Sequence, residues 1–471
     1  MRARVLAICA VLALAGTACG SRLPEDVLQA LDARSTAAQT QTSETLDGAR
    51  LGGRETSEGT AGSAVASGRI SNQGTQASGP ASGAAVNPAS KCSEARSAAP
   101  GVTDKEIKVA SIVTDSGPLP GATEGSYRGA AAYFAMVNAA GGVCGRKITL
   151  VKGDDGLDPA KARGEFLRLE PDVFGFVGSF AVADSGYVDL IESTGVPYVS
   201  LVVEPEGRKA RNVFWRIREG VVNAGPFYWW KKQHPNVKRA ALLYADVGGV
   251  SANVPGFEKA IEKAGFDRRY TAAADVTSPD FTPEVQQAQD EGIDLFYLFA
   301  FEVSMHVRMV RNMRQQNYDP PIKGANIAFN TRFSELLGKQ GDGWENHNTH
   351  LVFLDPAERA RSEKLAQFID WNERVFPGSQ LDLFPVSGWE HAAIFVDALQ
   401  KLQGEITRDA LVDALYTLKE TSGGIEAPFD PSTGIGGGCF NMAVHRGGHW
   451  VREYPTDKLY DCNPSYSFKF R

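Results

Sequence analysis

The chain is 471 residues long and carries 24 Phe, 13 Tyr and 7 Trp, enough apolar mass for two or three packed domains. Its formal net charge of −7 is spread over the whole length without a Lys/Arg run, which excludes the basic footprint of a nucleic-acid or anionic-membrane binder. Acidity this mild serves solubility rather than recognition.

At the N-terminus, Arg2 and Arg4 precede an apolar run from Val5 to Ala15, too short to span a bilayer. A charged start followed by a short apolar stretch is the layout of a secretory signal. The run ends in Leu14-Ala15-Gly16-Thr17-Ala18-Cys19-Gly20, which resembles a bacterial lipobox, with Gly16 where Leu is commoner. That resemblance implies cleavage before Cys19 and a lipid on its sulfur, so residues 1–19 read as signal and lipidation site. The lipid would anchor the chain to the outer face of the cell membrane. Four cysteines then remain, Cys92, Cys144, Cys439 and Cys462, an even number that suits disulfides in an oxidising compartment and allows three connectivities. The absence of C-x-x-C argues against zinc and thioredoxin-like redox chemistry.

Residues 20–100 hold no Phe, Tyr or Trp and are dominated by Gly, Ala, Ser, Thr and Gln. Such a stretch cannot bury enough apolar area to offset chain entropy. It reads as a disordered tether with a reach of about 50 Å.

Near Gly101 the composition changes. Ile107 to Val113 is a predicted strand, Glu124 to Asn138 a helix with Tyr127, Ala131, Phe134 and Val137 on one stripe, and Ile148 to Val151 a strand. Asp158-Pro159 opens the next helix as cap and first-turn proline. Strands are predicted at Val173 to Gly178 and Val196 to Val203, with a helix from about Asp184 between them. The alternation then restarts. A helix is predicted at Val221 to Lys232, a strand at Ala240 to Ala245 and a helix at Val254 to Ala264. A helix bearing Phe281, Val285 and Ala288 follows, then an apolar strand from Asp294 to Ala300. Val303, Val307, Val310 and Met313 make another helical stripe, and Pro321 to Asn326 a strand end. The tail carries an expected strand at Leu351 to Leu354, helices at Glu358 to Val375, Trp389 to Leu402 and Arg408 to Leu418, and a hairpin of Phe440 to His445 with Trp450 to Tyr454. Alternation of this kind implies parallel sheets covered by helices on both faces, in two α/β units.

Several segments also resemble a known family. They are GVTDKEIKVASIVTDSGPLPG, GAAAYFAMVNAAGGVCGRKITLV, GDDGLDPAKA, ESTGVPYVS and PDFTPEVQQAQDEGIDLFYLF. Their order is similar to that of periplasmic binding proteins of the branched-chain amino acid/amide type, the solute-binding subunits of ABC importers. The resemblance spans roughly Gly101 to Tyr454. It implies a two-lobed type I fold, each lobe a mainly parallel sheet, with lobe 1 at 101–221 and 348–445 and lobe 2 at 222–347 and 446–471. The partners implied are a small solute, the permease subunits and the membrane through the lipid. Neither nucleic acid nor a second copy of the chain is expected. A sensing receptor of the same fold, acting without transport, is the alternative.

Searching for chemistry yields no G-x-S-x-G, no phosphate loop and no H-E-x-x-H, so no catalytic residue, cofactor or metal is expected. Asp154 and Asp155 read as strand-end and capping residues. His347-Asn348-Thr349-His350 beside Glu345 reads as a polar, exposed hinge connection, and Phe227-Tyr228-Trp229-Trp230 as helix core. Cys92 precedes the first strand and Cys144 sits in the turn into its neighbour, while Cys439 and Cys462 flank the final hairpin. Those positions favour Cys92–Cys144 and Cys439–Cys462. Alignment to the family's motifs places the ligand against Ser116, Ser179, Phe180, Ala181, Val203, Glu204, Val250, Phe301, Glu302 and Asn326. Where amino-acid binders hold the α-carboxylate on a Ser/Thr-rich loop, the matching loop here, Ser179-Phe180-Ala181-Val182-Ala183, is mostly apolar. The site is expected to prefer a less zwitterionic solute, stacked on Phe180 and Phe301 and oriented by Ser116, Glu204 and Asn326.

Overall fold

The computed structural model describes residues 91–215 and 220–470; Cys19, the signal and most of the tether lie outside them. The described part begins earlier than composition alone implies. Cys92 is bonded to Cys144, and Arg96–Ser97 pairs in parallel with Glu405–Ile406. Residues 91–100, expected in the tether, are therefore fastened to lobe 1.

Lobe 1 opens with β1 (Glu106–Val113), α1 (Glu124–Ala139), β2 (Lys147–Asp154) and α2 (Pro159–Leu169). It continues with β3 (Phe176–Val177), α3 (Val188–Thr194), β4 (Tyr198–Val199) and β5 (Val213–Phe214). The five strands form one parallel sheet in the order β2-β1-β3-β4-β5. β1 is buried along nearly its whole length, the mark of a central strand covered on both faces. Asp158 caps α2 by accepting the N–H groups of Ala160 and Lys161 at 2.7 and 3.1 Å, and Pro159 needs no donor partner there.

The chain crosses to lobe 2 through β6 (Val221–Asn223), where a helix was expected; the helix α4 (Gly225–Gln233) starts only after it. Lobe 2 then runs β7 (Arg239–Ala245), α5 (Val254–Lys263), β8 (Asp267–Ala274) and α6 (Thr282–Asp290). β9 (Leu295–Phe299), α7 (Val303–Gln315), β10 (Ile322–Ala325), α8 (Thr331–Leu337) and β11 (Trp344–Asn348) follow. A return to lobe 1 brings α9 (Glu363–Val375), α10 (Leu383–Leu399) and α11 (Arg408–Leu415). Residues 351–354, predicted as a strand, form none; only a single bridge, His350 to Glu426, joins the two later crossings. The last elements are β12 (Cys439–Arg446), β13 (His449–Tyr454), β14 (Asp461–Cys462) and β15 (Ser467–Lys469).

Lobe 2 holds eight strands in the order β13-β12-β11-β10-β9-β7-β8, with β14 also against β12. β12 lies wholly in this sheet, so the expected lobe boundary at residue 445 falls too late: the chain has returned to lobe 2 by Cys439. Cys439 and Cys462 face each other on β12 and β14 and are disulfide-bonded. β15 pairs antiparallel with β6, which ties the end of the chain to the first crossing.

α10 is buried nearly all round, and a close approach to α1 makes that possible. A Cβ on Gly388 would lie 1.8 Å from the Ser126 carbonyl oxygen. Glycine there lets the two helices meet backbone to backbone. α10 thereby reaches the space between the lobes, where its N-terminal half forms one wall.

Candidate functional site

Between the lobes lies a cavity of about 390 Å³, within the range of sites that hold a drug-sized ligand. Lobe 1 contributes Phe180, Leu201, Phe384 and Ile394, with Ser387, Glu390 and His391 on the same stretch of α10. Lobe 2 contributes Phe257, Phe299, Phe440 and Phe470. The crossings supply Val221, Val222, His347, Thr349, His350 and Glu426. Most of this wall is apolar or aromatic. The Phe257 and Phe299 rings are 4.2 Å apart, and Phe180 meets Phe384 edge-on at 4.9 Å, so the rings are braced before any solute arrives.

At one part of the cavity wall, contacts from both lobes meet. Arg208 donates to the carbonyls of Val202, at 2.8 Å, and Val203 within lobe 1, and reaches Asn253 Oδ1 of lobe 2 at 3.4 Å. Its guanidinium lies over Trp215, 5.4 Å from the ring centre. Opposite, Gly249 has φ +70° and backs onto Val203 so tightly that a Cβ would sit 2.4 Å from the Val203 oxygen. Buried Asp184 accepts the Val203 and Glu204 N–H groups at 2.6 and 3.2 Å. Burial pushes its carboxyl up to about 7 against those two bonds. This loop is pinned from beneath and latched from above.

Of the ten ligand residues expected from sequence, Phe180, Val203, Val250 and Asn326 line the cavity. The other six do not, each for a visible reason. Ser116 donates its hydroxyl to Asp154 at 2.5 Å, and Lys161 lies 3.1 Å from the same oxygen. Ser179 is fully buried, its oxygen accepting the Ile112 N–H at 3.0 Å. Ala181 packs into the lobe 1 core. Glu204 lies beside Gly248 at the rim. Phe301 cannot stack on a solute: it is fully buried, 5.7 Å from Phe281 and 5.8 Å from His306. Ala300, at φ +60°, separates Phe301 from β9. Glu302 caps α7 through the N–H groups of Ser304 and Met305, both at 2.8 Å.

The connection read as exposed is not: Asn348 and His350 are buried, and Glu345, His347 and Thr349 half-buried. His347 and the Tyr297 hydroxyl share a hydrogen bond of 2.8 Å, and burial lowers the imidazole to about 3. Glu345 accepts the Trp230 indole N–H at 2.7 Å and is pushed by burial up to about 7. Glu390 is buried, accepts the N–H groups of Ile425 and Glu426 at 2.6 and 3.0 Å, and is raised to about 7, burial outweighing those bonds. Among the described residues, no group of three or more His, Cys, Asp or Glu could hold a metal ion, and no helix is long and apolar enough to cross a membrane.

Sequence reasoning missed Arg208, Trp215, Phe257, Phe384, His391, Phe440 and Phe470. The alternation in Ser467-Phe468-Lys469-Phe470 is a strand signal that could have flagged the last of these. A lone loop arginine such as Arg208 gives no signal at all.

Comparison with known proteins agrees with this architecture. Residues 106–448 match the family model described as periplasmic binding protein. A "Leu/Ile/Val-binding protein" from Citrobacter freundii is 25% identical over 51% of this chain and 66% of its own. "Leu/Ile/Val-binding protein homolog 7" from Brucella abortus is 29% identical over 65% of this chain and 79% of its own. Among solved structures, a "Fatty acid ABC transporter substrate-binding protein" from Thermomonospora curvata superimposes with a TM-score of 0.64 at 19% identity, covering 79% of this chain and 96% of that one. An "ABC transporter substrate-binding protein" from Sphaerobacter thermophilus gives 0.61 at 17% identity over 76% and 96%. The chain belongs to the periplasmic binding protein family, extracytoplasmic proteins that bind small solutes and work with the permeases of ABC transporters.

Proposed function

We propose that this chain captures an apolar small molecule between its lobes and hands it to an ABC permease, acting by binding alone, as a monomer held to the membrane by a lipid on Cys19. The observation that carries the reading is the cavity wall, most of which is rings and aliphatic side chains. A charged group buried without a partner costs several kcal/mol, so an α-amino acid is poorly served. The names of the Citrobacter and Brucella relatives favour leucine, isoleucine and valine; the name of the Thermomonospora protein favours an acyl chain. Thermal unfolding of the purified protein separates the two. A bound solute at a hundred times its dissociation constant adds about 2.7 kcal/mol. Medium-chain amphiphiles are expected to raise the melting temperature, and leucine, isoleucine and valine to leave it unchanged. A shift with the amino acids alone overturns the reading. For the anchor, Cys19→Ala expressed in a lipoprotein-processing bacterium is expected to move the protein from the membrane to the soluble fraction.

A further inference from the structure

Besides sharing the crossings, the lobes bond to each other directly at a place that is not part of the cavity wall. Leu381 lies in the short link between α9 and α10, two helices that pack on α1 of lobe 1. Thr331 is the first residue of α8, which runs between β10 and β11 of the lobe 2 sheet. The Thr331 N–H and hydroxyl both donate to the Leu381 carbonyl, at 3.2 and 3.1 Å, and the Thr331 hydroxyl oxygen accepts the Leu381 N–H at 3.3 Å. Both residues are half-buried. Beside them, at the surface, the Gln380 amide donates to Glu335 at 3.1 Å. Each partner is fixed within its own lobe. Asn330 caps α8 by accepting the Phe333 N–H at 2.7 Å, and Asp382 caps α10 by accepting the Phe384 N–H at 2.8 Å. Each is also a short step from the cavity. Asn326 and Ile327, just before α8, line it, as do Leu383 and Phe384 at the start of α10, whereas Thr331 and Leu381 do not. The bonds therefore set the spacing of two walls without meeting what lies between them.

Resting on the solute capture proposed above, we propose that Thr331 is a positioning residue for binding: its hydroxyl clasps lobe 2 to lobe 1 and slows the solute's release without touching it. A solute held between two walls leaves when the walls part, and parting them here breaks the Thr331–Leu381 bonds. Two of the three run through the hydroxyl, so the side chain carries most of the clasp. Its contribution is made between protein groups alone. It adds to the barrier for opening by the same amount for every solute, and so sets residence time and not selectivity.

The test is stopped-flow binding and dissociation, read by tryptophan fluorescence, for the full chain and for Thr331→Val, Thr331→Ser and Gln380→Ala. The probes are octanamide, octan-1-ol and leucine; which of them binds tests the function, and how fast the bound one leaves tests the clasp. Thr331→Val keeps the size of the side chain and the backbone N–H bond but loses the hydroxyl. It is expected to release the probe about tenfold faster, the scale of one or two partly buried hydrogen bonds, with association no slower than in the wild type, which also shows that the variant is folded. Thr331→Ser restores the hydroxyl and is expected to release at the wild-type rate. Gln380→Ala removes an exposed bond that water replaces, and is expected to change release by less than about twofold. The acceleration in Thr331→Val should be the same for octanamide and octan-1-ol. Release from Thr331→Val at the wild-type rate overturns the clasp and leaves the function intact. An acceleration that differs severalfold between the two amphiphiles also overturns it, because the hydroxyl then meets the solute. Binding of leucine in place of the amphiphiles, with release still accelerated, overturns the apolar reading of the cavity and leaves the clasp standing.

Discussion

Two regions of lobe 1 compete for the role of binding site, and they are built in opposite ways. At the ends of β1 and β2, polar side chains are dense and fully occupied with one another. Asp155 accepts the Thr114 hydroxyl at 3.0 Å and the N–H groups of Leu157 and Ala183 at 2.9 and 3.0 Å. Asp154 accepts three more N–H groups, from Asp115, Ser116 and Gly156, together with the Ser116 hydroxyl and the Lys161 ammonium. Burial opposes ionisation of Asp154, but those bonds outweigh it and hold the carboxyl well below its ordinary value. Around the cavity between the lobes the wall taken as a whole is mainly apolar, and space remains beside it. The difference teaches that polar residues at strand ends do not by themselves make a site: here they are spent on fixing loops, and the open volume lies where side chains are greasy.

The largest effect expected from breaking this contrast is structural. Asp155→Ala leaves two buried donors and one half-buried donor without this acceptor and is expected to cost about 3 kcal/mol. Urea titration checks it, with solute affinity retained below the transition. Next comes a test on the cavity wall. Glu390 titrates near 7 in the folded protein against an ordinary value of 4.5. Between those values the unfolded chain releases a proton that the folded chain keeps, so stability falls as pH rises through that window. The loss is at most about 3 kcal/mol. Glu390→Gln keeps an acceptor for the Ile425 and Glu426 N–H groups, and is expected to flatten this part of the stability–pH curve. An unchanged slope assigns the window to the other raised carboxyls, Asp184, Glu345, Asp382 and Asp397.

Much of the fold was legible because burial and periodicity coincide. β1, α1, β7, α5 and α7 fall within a residue or two of their sequence patterns. The failures share a cause. β8 carries Arg268 and Arg269 on a half-exposed sheet edge, without alternation to read. β11 reads Trp-Glu-Asn-His-Asn, too polar for a central strand. Its asparagines are nonetheless buried because Asn346 accepts the Ala328 N–H at 2.7 Å and donates to Asn348 at 2.7 Å. Those partners lie elsewhere in the chain or across the sheet, and no local pattern announces them. The site follows the same rule. Phe180 and Val203 were reachable through neighbouring motifs, whereas Phe257, His391 and Phe470 come together only when the crossings fold. Phe301 misled because apolar character marks a core residue as readily as a platform.

Smaller effects separate the two regions by affinity. Phe180→Ala removes a ring from the cavity and its edge contact with Phe384. It is expected to weaken solute binding by about tenfold, or about 1.4 kcal/mol, read by calorimetry. The effect should fall mainly on the dissociation rate.

The smallest expected effect is the most discriminating. Ser116 was the family-aligned ligand contact of lobe 1, and it now stands as a member of the Asp154 cluster. Ser116→Ala removes one hydroxyl from a carboxylate that keeps four other donors: the Asp115, Ser116 and Gly156 N–H groups and Lys161. The cluster is partly open to water, so a lost bond there is readily replaced and should cost no more than about 0.5 kcal/mol. Because Ser116 does not line the cavity, solute affinity should stay within about twofold, a change smaller than one hydrogen bond. A tenfold loss on Ser116→Ala, with the melting temperature unchanged, would place the solute's polar end at the strand ends of lobe 1. The hinge cavity would then be the passage and not the site, and Phe180, which borders both regions, would be the residue they share.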